Sequence, residues 1–302
     1  MGRPQPKDCL NLEICKLNGT FWCSLSKWLE GFCRKQVYMA FRLLFIGDVV
    51  GEAGCAAVQD LVPALRQELE LDAIVVNAEN SAPSGRGITP DSGSALLSVA
   101  DFLTLGNHAF DAQGSERFLD REPRVIRPAN IDDNLPGHGW GTFKANGLCV
   151  GVANVQGRVF MKQNLRSPFE AADRAVANLR SSGADLILVD MHAEATSEKQ
   201  AMGYHLEGKL QALVGTHTHV PTADARVLPG GTAYVSDVGM TGGKESIIGF
   251  DKENFMALFL EKGPVRIGVS KSPAIFNAVV IEIDVESRRA RSIERVYKDI
   301  NL

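Results

Sequence analysis

At 302 residues and 45% hydrophobic content, the chain can bury one large core or two small ones. Its 36 acidic residues outnumber 32 basic ones, for a formal charge of -4. That argues against a broad polynucleotide-binding surface, which depends on many phosphate contacts, while a single nucleotide held locally by metal stays compatible with it. No apolar run is long enough to span a bilayer, so no membrane partner is expected.

Four of the six cysteines, Cys9, Cys15, Cys23 and Cys33, fall in the first 38 residues. They form no close C-x-x-C pair and have no histidines beside them, which argues against a zinc site. A disulfide framework would need an oxidising compartment, and no secretory signal precedes it; a reduced, cytoplasmic setting is expected. Residues 1–38 also carry Trp22 and Trp28 but no extendable period. Residues 39–302 are therefore expected to form one domain, and 1–38 an appendage or the product of an upstream start site.

From Met39 the chain alternates. Leu43 to Ile46 is an apolar run ending in Gly47-Asp48, and residues 54–71 have helical spacing through Val58, Leu61, Leu65 and Leu69. Pro63 fits such a helix only near a first turn. Ala73 to Val76 runs into Asn77-Ala78-Glu79-Asn80, and a Gly/Pro/Ser-rich loop follows. A helix opens at Pro90 with Thr89 as N-cap. Phe102 to Leu105 ends in Gly106-Asn107-His108. This β-α-β-α-β order predicts a sheet with helices on its faces. The middle reads as strands at 125–131, 139–144 and 148–155, then a helix at 168–182 capped by Ser167. A strand over 184–190 ends in Asp190-Met191-His192, and a helix over 197–207 leads to Leu213-Val214-Gly215-Thr216-His217-Thr218-His219. The tail predicts strands at 227–228, 233–238, 277–285 and 288–296, with a helix near 252–262.

Asp48, Glu79, Asn80, Asn107, His108, His192, His217 and His219 thus all follow apolar strand runs. In extended backbone His217 and His219 point the same way. A parallel sheet gathers the C-terminal ends of its strands along one edge. Each residue has a structural explanation alone: Asp48 as a helix cap, Asn107 in a turn, His192 hydrogen-bonded in the core. Polar groups repeated at so many strand ends are costly unless they are paired or bind something. The mixed oxygen and nitrogen set suits manganese, iron or zinc, with magnesium a weaker fit, and is large enough for two ions sharing a bridge. Such pairs serve in-line displacement at phosphorus, activating water near neutral pH. A hydrolase is the natural reading.

Gly47-Asp48, Gly106-Asn107-His108 and Gly215-Thr216-His217-Thr218-His219 resemble the calcineurin-like metallophosphoesterase motifs. Asn77-Ala78-Glu79-Asn80, the run His192 to Lys199, and Leu228 to Ala233 resemble one branch of them, the YmdB-like bacterial phosphodiesterases. The resemblance runs from Phe41 to the C-terminus. It implies an α/β fold, a four-layer α/β/β/α sandwich, and hydrolysis of cyclic nucleotides, 2′,3′-cyclic ones to 3′-nucleotides above all. It further implies that Asp48, His219 and Asn80 hold one metal, Asn107, His192 and His217 the other, and Glu79 bridges. His108 is left as general acid or as a cation near the leaving oxygen. The Asp-x-His usual in the superfamily is Asp48-Val49-Val50 here, and Glu79 stands where an Asp usually bridges.

Substrate contacts are fainter: Ser84 to Gly87, with Arg86, reads as a lid or a surface loop, and Arg158 as a phosphate contact or a surface ion pair. Two other classes stay open. One is an amidohydrolase-like barrel, which places His-x-His on its first strand; here it comes late, and Gly106-Asn107-His108 has no role in that scheme. The other is a non-catalytic regulator that binds metal and nucleotide without turnover. Homo-oligomerisation is left open.

Overall fold

A computed structural model describes residues 40–161 and 165–300, so the expectation for residues 1–38 lies outside the described residues. In chain order the first half runs β1 (Ala40–Ile46), β2 (Asp48–Val49), α1 (Gly51–Glu68), β3 (Ala73–Asn77), α2 (Pro90–Leu97), β4 (Phe102–Thr104), α3 (Ser115–Arg121) and β5 (Val125–Ile126). Next come β6 (Trp140–Ala145), β7 (Leu148–Gln156), α4 (Pro168–Ser181), β8 (Leu186–His192), α5 (Thr196–Leu206) and β9 (Ala212–Thr216). The tail holds β10 (Arg226–Val227), β11 (Ala233–Val235), β12 (Met240–Gly243), β13 (Ser246–Ile247), β14 (Phe250–Asp251), α6 (Lys252–Phe259), β15 (Ala274–Asp284) and β16 (Arg289–Asp299).

Two sheets carry the fold. The first has the order β2-β12-β15-β1-β3-β4-β5, with β16 paired to β15, and the second β10-β11-β9-β8-β7-β6. Strands β1, β3, β4 and β5 run parallel, as do β7, β8, β9 and β11. The antiparallel partners β15 and β6 flank these parallel sets. Period-two alternation in β1 decides the layering. Phe41, Leu43 and Phe45 face Val150, Val152, Leu186, Leu188 and Val214 of the second sheet. Leu44 and Ile46 face the other way, onto Val58, Val62 and Leu65 of α1 and Leu96 of α2. A third core joins Ile187, Val189 and Leu213 to α4 and α5 through Ala171, Ala175, Leu179, Met202 and Leu206. Three cores between four layers make the α/β/β/α sandwich that the sequence led us to expect, and rule out a barrel.

Local signals explain several boundaries. Thr89 Oγ1 accepts from Ser92 N (3.1 Å) while Ser92 Oγ accepts from Thr89 N (3.1 Å), a reciprocal cap on α2. Ser167 caps α4 through Glu170 N. Helix α1 departs from expectation: it begins at Gly51, which leaves Pro63 deep inside it. Pro63 is exposed while Val58, Val62 and Leu65 are buried, so packing of the inner face offsets the lost backbone bond. The strand expected at 125–131 is only Val125–Ile126. Helix α3 and strands β12, β13 and β14 had no counterpart in the sequence reading.

Candidate metal centre

The parallel strands of both sheets deliver their C-terminal ends to one edge. Asp48, Glu79, Asn80 and Asn107 come from the first sheet, His192 and the His217–His219 loop from the second. At the centre is Nε2 of His192. It lies 3.0 Å from Glu79 Oε1, 3.0 Å from Asn107 Oδ1 and 3.0 Å from His217 Nδ1. One ring nitrogen offers at most one proton, so three neighbours at that distance are more than hydrogen bonding explains. Two donors each about 2.1 Å from one ion at right angles lie about 3.0 Å apart, as these do. Glu79, His192 and His217 bring one donor atom each within 4.8 Å of one another.

A second observation is the space. A Cβ on Gly106 would stand 2.3 Å from Glu79 Oε2 and 2.4 Å from His192 Nε2. Only glycine leaves room for the donors to converge. A third is a pair of unmatched oxygens: Asp48 Oδ1 and Asn80 Oδ1 are two of the four buried side-chain oxygens among the described residues with no hydrogen-bond partner, the others being on Asn154 and Asn277. Such groups are rare unless something else binds them. Asp48 Oδ2 accepts from His217 N at 3.1 Å, and Asn80 Nδ2 donates to Gly85 O at 2.8 Å, so each side chain presents its remaining oxygen.

The outer contacts engage one ring nitrogen of each histidine and turn the other toward the cluster. Ile248 O can only accept, so His219 Nδ1, 2.8 Å away, carries the proton and Nε2 keeps its lone pair. Thr216 Oγ1 donates to Asp190 Oδ1 (2.7 Å) and therefore accepts from His192 Nδ1 (2.9 Å), leaving Nε2 for the centre. His217 Nε2 faces Glu194 Oε2 at 3.4 Å, leaving Nδ1. Partners of this kind fix tautomer and ring orientation at metal sites. Asp190 also accepts from Thr104 Oγ1 (2.6 Å) and Asn77 Nδ2 (2.9 Å), both on the facing sheet.

Without a cation the cluster is charged against itself. Burial would lower the His192 pKa, but the carboxylates of Glu79, Asp48 and Asp190 outweigh it and lift it to about 9. Burial and the His192 charge push His217 down to about 3. Glu79, which burial would raise, is held at about 2 by the charge and hydrogen bond of His192 and by His108. Burial carries Asp48 up to about 6 against the opposing charges of His219 and His192. A proton on His192 supplies the charge that a bound cation would.

His108 stands beside the cluster without joining its donors. Its backbone N donates to Glu79 Oε2 at 3.1 Å, and its Nδ1 is 2.6 Å from Asp111 Oδ2. Both side chains are partly open to solvent. The outlying residues behave differently. Gly85 and Gly87 have positive φ, and a Cβ would strike Phe250 and Ala112 respectively, so packing accounts for these glycines. Arg86 is exposed between them. Arg158 is exposed too, on a loop whose N–H groups at 158 and 159 donate to Glu198.

Sequence reasoning missed Asp111, Asp190, Glu194 and Thr216. Asp190 and Thr216 carried a signal: in extended backbone each lies on the same side as a histidine at i+2 or shares its strand end. Asp111 carried a weaker one, three residues past His108.

The chain matches the family model described as "YmdB-like protein" over residues 44–296. It belongs to the YmdB-like family. A Bacillus subtilis (strain 168) protein named "2′,3′-cyclic-nucleotide 2′-phosphodiesterase" is 43% identical over 256 residues, covering 84% of this chain and 96% of that one. A crystal structure of a hypothetical protein from Thermus thermophilus superposes with a TM-score of 0.80 at 39% identity, over 86% of this chain and 100% of that one. A Mycoplasma pneumoniae protein whose structure is described as a novel phosphatase gives a TM-score of 0.80 at 31% identity, over 87% of this chain and 94% of that one. The family and the layered fold expected from the motifs are both borne out for this YmdB-like chain. No helix of the described residues is long and apolar enough to cross a membrane.

Proposed function

We propose that the protein is a metal-dependent phosphodiesterase acting on cyclic nucleotides, with 2′,3′-cyclic nucleotides opened to 3′-nucleotides. The observation that carries this reading is the convergence of Glu79, Asn107 and His217 on Nε2 of His192, with His108 beside them but outside the donor set. The B. subtilis relative's name supports the substrate class.

In this reading Asn107, His192 and His217 would hold one ion and Asp48, Asn80 and His219 a second, with Glu79 as a shared carboxylate donor. Iron or manganese suits the mixed donors best. Two such ions supply an activated water and charge to neutralise the phosphoryl oxygens. The chain's own groups do the rest. Asp111 accepts from His108 Nδ1, which fixes the ring and leaves Nε2 as the nitrogen that gives its proton to the departing ribose oxygen. The Thr216–Asp190 link holds His192 in its tautomer. Arg86 and Arg158, both exposed, are the candidates for phosphate contact. Cys55 and Cys149 are free thiols, in keeping with a reducing cytoplasm.

The test is an assay of protein reconstituted with Mn²⁺ or Fe²⁺ against 2′,3′-cyclic AMP and bis-p-nitrophenyl phosphate. Metal-dependent release of 3′-AMP and of p-nitrophenolate is expected. Tight metal binding with no turnover of either substrate would instead favour a regulator that binds without hydrolysing.

A further inference from the structure

Helix α5 carries two buried charges in succession, Glu198 and Lys199, and neither belongs to the donor cluster. Lys199 is fully buried, and its Nζ lies 2.8 Å from Oδ2 of Asp237, itself buried. Burying such a pair is expensive and on its own contributes little to stability. The other bonds to Asp237 indicate its use. Oδ2 also accepts from Thr218 N (3.1 Å) and Thr218 Oγ1 (2.8 Å), and Oδ1 accepts from Gly239 N (2.8 Å). Thr218 is the residue between His217 and His219.

That loop needs holding. His217 and His219 both have left-handed backbone, with φ of 100° and 66°. Non-glycine residues take such angles only where the surroundings impose them. The turn lets both imidazoles face the strand-end cleft although each is flanked by Thr218. The anchor must accept from Thr218 twice and from Gly239 once, and a carboxylate offers the lone pairs for that where an amide does not. A carboxylate buried so deeply needs a counter-charge, and Lys199 provides it from beneath. Its stem passes under Gly215, where a Cβ would come 3.0 Å from Lys199 Cδ and 1.7 Å from Ser236 O.

We propose that Lys199 is a positioning residue for the metal centre: through Asp237 and Thr218 it holds His217 and His219 in ligating posture. Helix α5 thereby braces the ligand loop from the layer outside the second sheet. The neighbouring Glu198 braces a different loop, accepting from the backbone N–H groups of Arg158 and Val159, and so serves as an internal control on the same helical turn.

This inference rests on the metal-centre reading. The test measures, on the full chain, the Mn²⁺ dissociation constant by competition with a chromophoric chelator and the thermal midpoint of the chelator-treated protein. The variants are Lys199→Met, Lys199→Met/Asp237→Asn, and Glu198→Gln. Lys199→Met should weaken Mn²⁺ binding at least about tenfold and lower the midpoint, because Asp237 is left charged and alone. The double variant removes both charges, so its metal-free midpoint should return toward wild type. Its Mn²⁺ affinity should stay weak, because an amide in place of the Asp237 carboxylate cannot accept for both Thr218 and Gly239. Glu198→Gln should keep wild-type affinity. If the double variant recovers affinity together with stability, the pair is a structural element and the proposal fails; if Lys199→Met folds poorly, the double variant decides alone. Wild-type protein that binds no Mn²⁺ would overturn the metal reading, a different outcome from wild-type binding that Lys199→Met leaves unchanged.

Discussion

Gly106 is the residue at which the centre has least room to give. A methyl group there would sit about where the donors of Glu79 and His192 converge, 2.3 and 2.4 Å from them. The neighbours are charged, buried and tied to both sheets, so they cannot move aside cheaply. Gly106→Ala should therefore reduce bound metal to well under half of wild type, with far-UV circular dichroism unchanged. Wild-type metal content by elemental analysis would show that the ions, if bound, lie elsewhere. His108 makes the opposite forecast. Its ring meets Asp111 rather than the donor cluster, so His108→Ala should leave metal content near normal. Activity on 2′,3′-cyclic AMP should fall by about 10²–10⁴-fold, the usual contribution of a general acid. The loss should be much smaller on bis-p-nitrophenyl phosphate, whose leaving group departs without a proton. Glu79→Gln, by contrast, should lose metal and activity together. Equal slowing of both substrates by His108→Ala would make His108 a phosphate-binding group and not an acid.

Helix α1 shows how packing can override local preference. Pro63 removes one i to i−4 bond and crowds the preceding turn, at a cost of about 3 kcal/mol in an ordinary helix. Proline also restricts the unfolded chain, which returns about 0.4–1 kcal/mol. Its ring is exposed, so Pro63→Ala should raise stability by about 2 kcal/mol, read from urea unfolding of the metal-free protein. A lower midpoint would mean that Pro63 itself is needed to seat its neighbours Val62 and Leu65. The same helix marks what the sequence discloses. Its period was readable because Val58 and Leu65 face a core, but its start was not, since Gly51 follows β2 directly. Thr89 and Pro90 announced α2 because their signals are local. Helix α3 buries only Ser115 and Leu119, too few to set a period. Strand β12 is Met-Thr-Gly-Gly, whose glycines are needed for close approach to Val50 and Ser270, so it carries no apolar alternation. At the site, donor residues at strand ends were legible one by one. Asp237 was not, because its partners come from a helix and a neighbouring loop and only tertiary pairing unites them.

The centre joins the molecule's two halves, since Glu79 and Asn107 hang from one sheet and His192 and His217 from the other. The described residues hold both large sheets and three cores, and β1, at their start, pairs with β15 near the end of the chain. Residues 39–302 alone should therefore fold, bind metal and unfold with a midpoint within about 2 °C of the full chain; an insoluble or inactive fragment would make residues 1–38 part of the fold. A ligand that binds only the folded state at a hundred times its Kd adds about 2.7 kcal/mol, so removing metal should cost stability on that scale. The cost depends on pH in a direction that His192 sets. Its folded pKa of about 9 lies above the unfolded 6.5, so its proton stabilises the metal-free fold fully below about 6.5. That contribution is lost as pH rises through about 9. Glu79 at about 2 has titrated well below this window; Asp48 at about 6 finishes titrating at its lower edge, and His217, about 3 folded against 6.5 unfolded, opposes the His192 trend only there. The chelator-treated protein should accordingly lose thermal midpoint steadily from about pH 6.5 to about 8.5. Mn²⁺ must displace the same proton, so at fixed free Mn²⁺ its stabilising shift should be larger at about pH 8.5 than at about 6.5. Scanning fluorimetry at both ends of the window, with and without Mn²⁺, measures both trends. A metal-free midpoint that is flat or rises with pH would mean that no proton is held where the two sheets meet, and that the cation's place is filled in some other way.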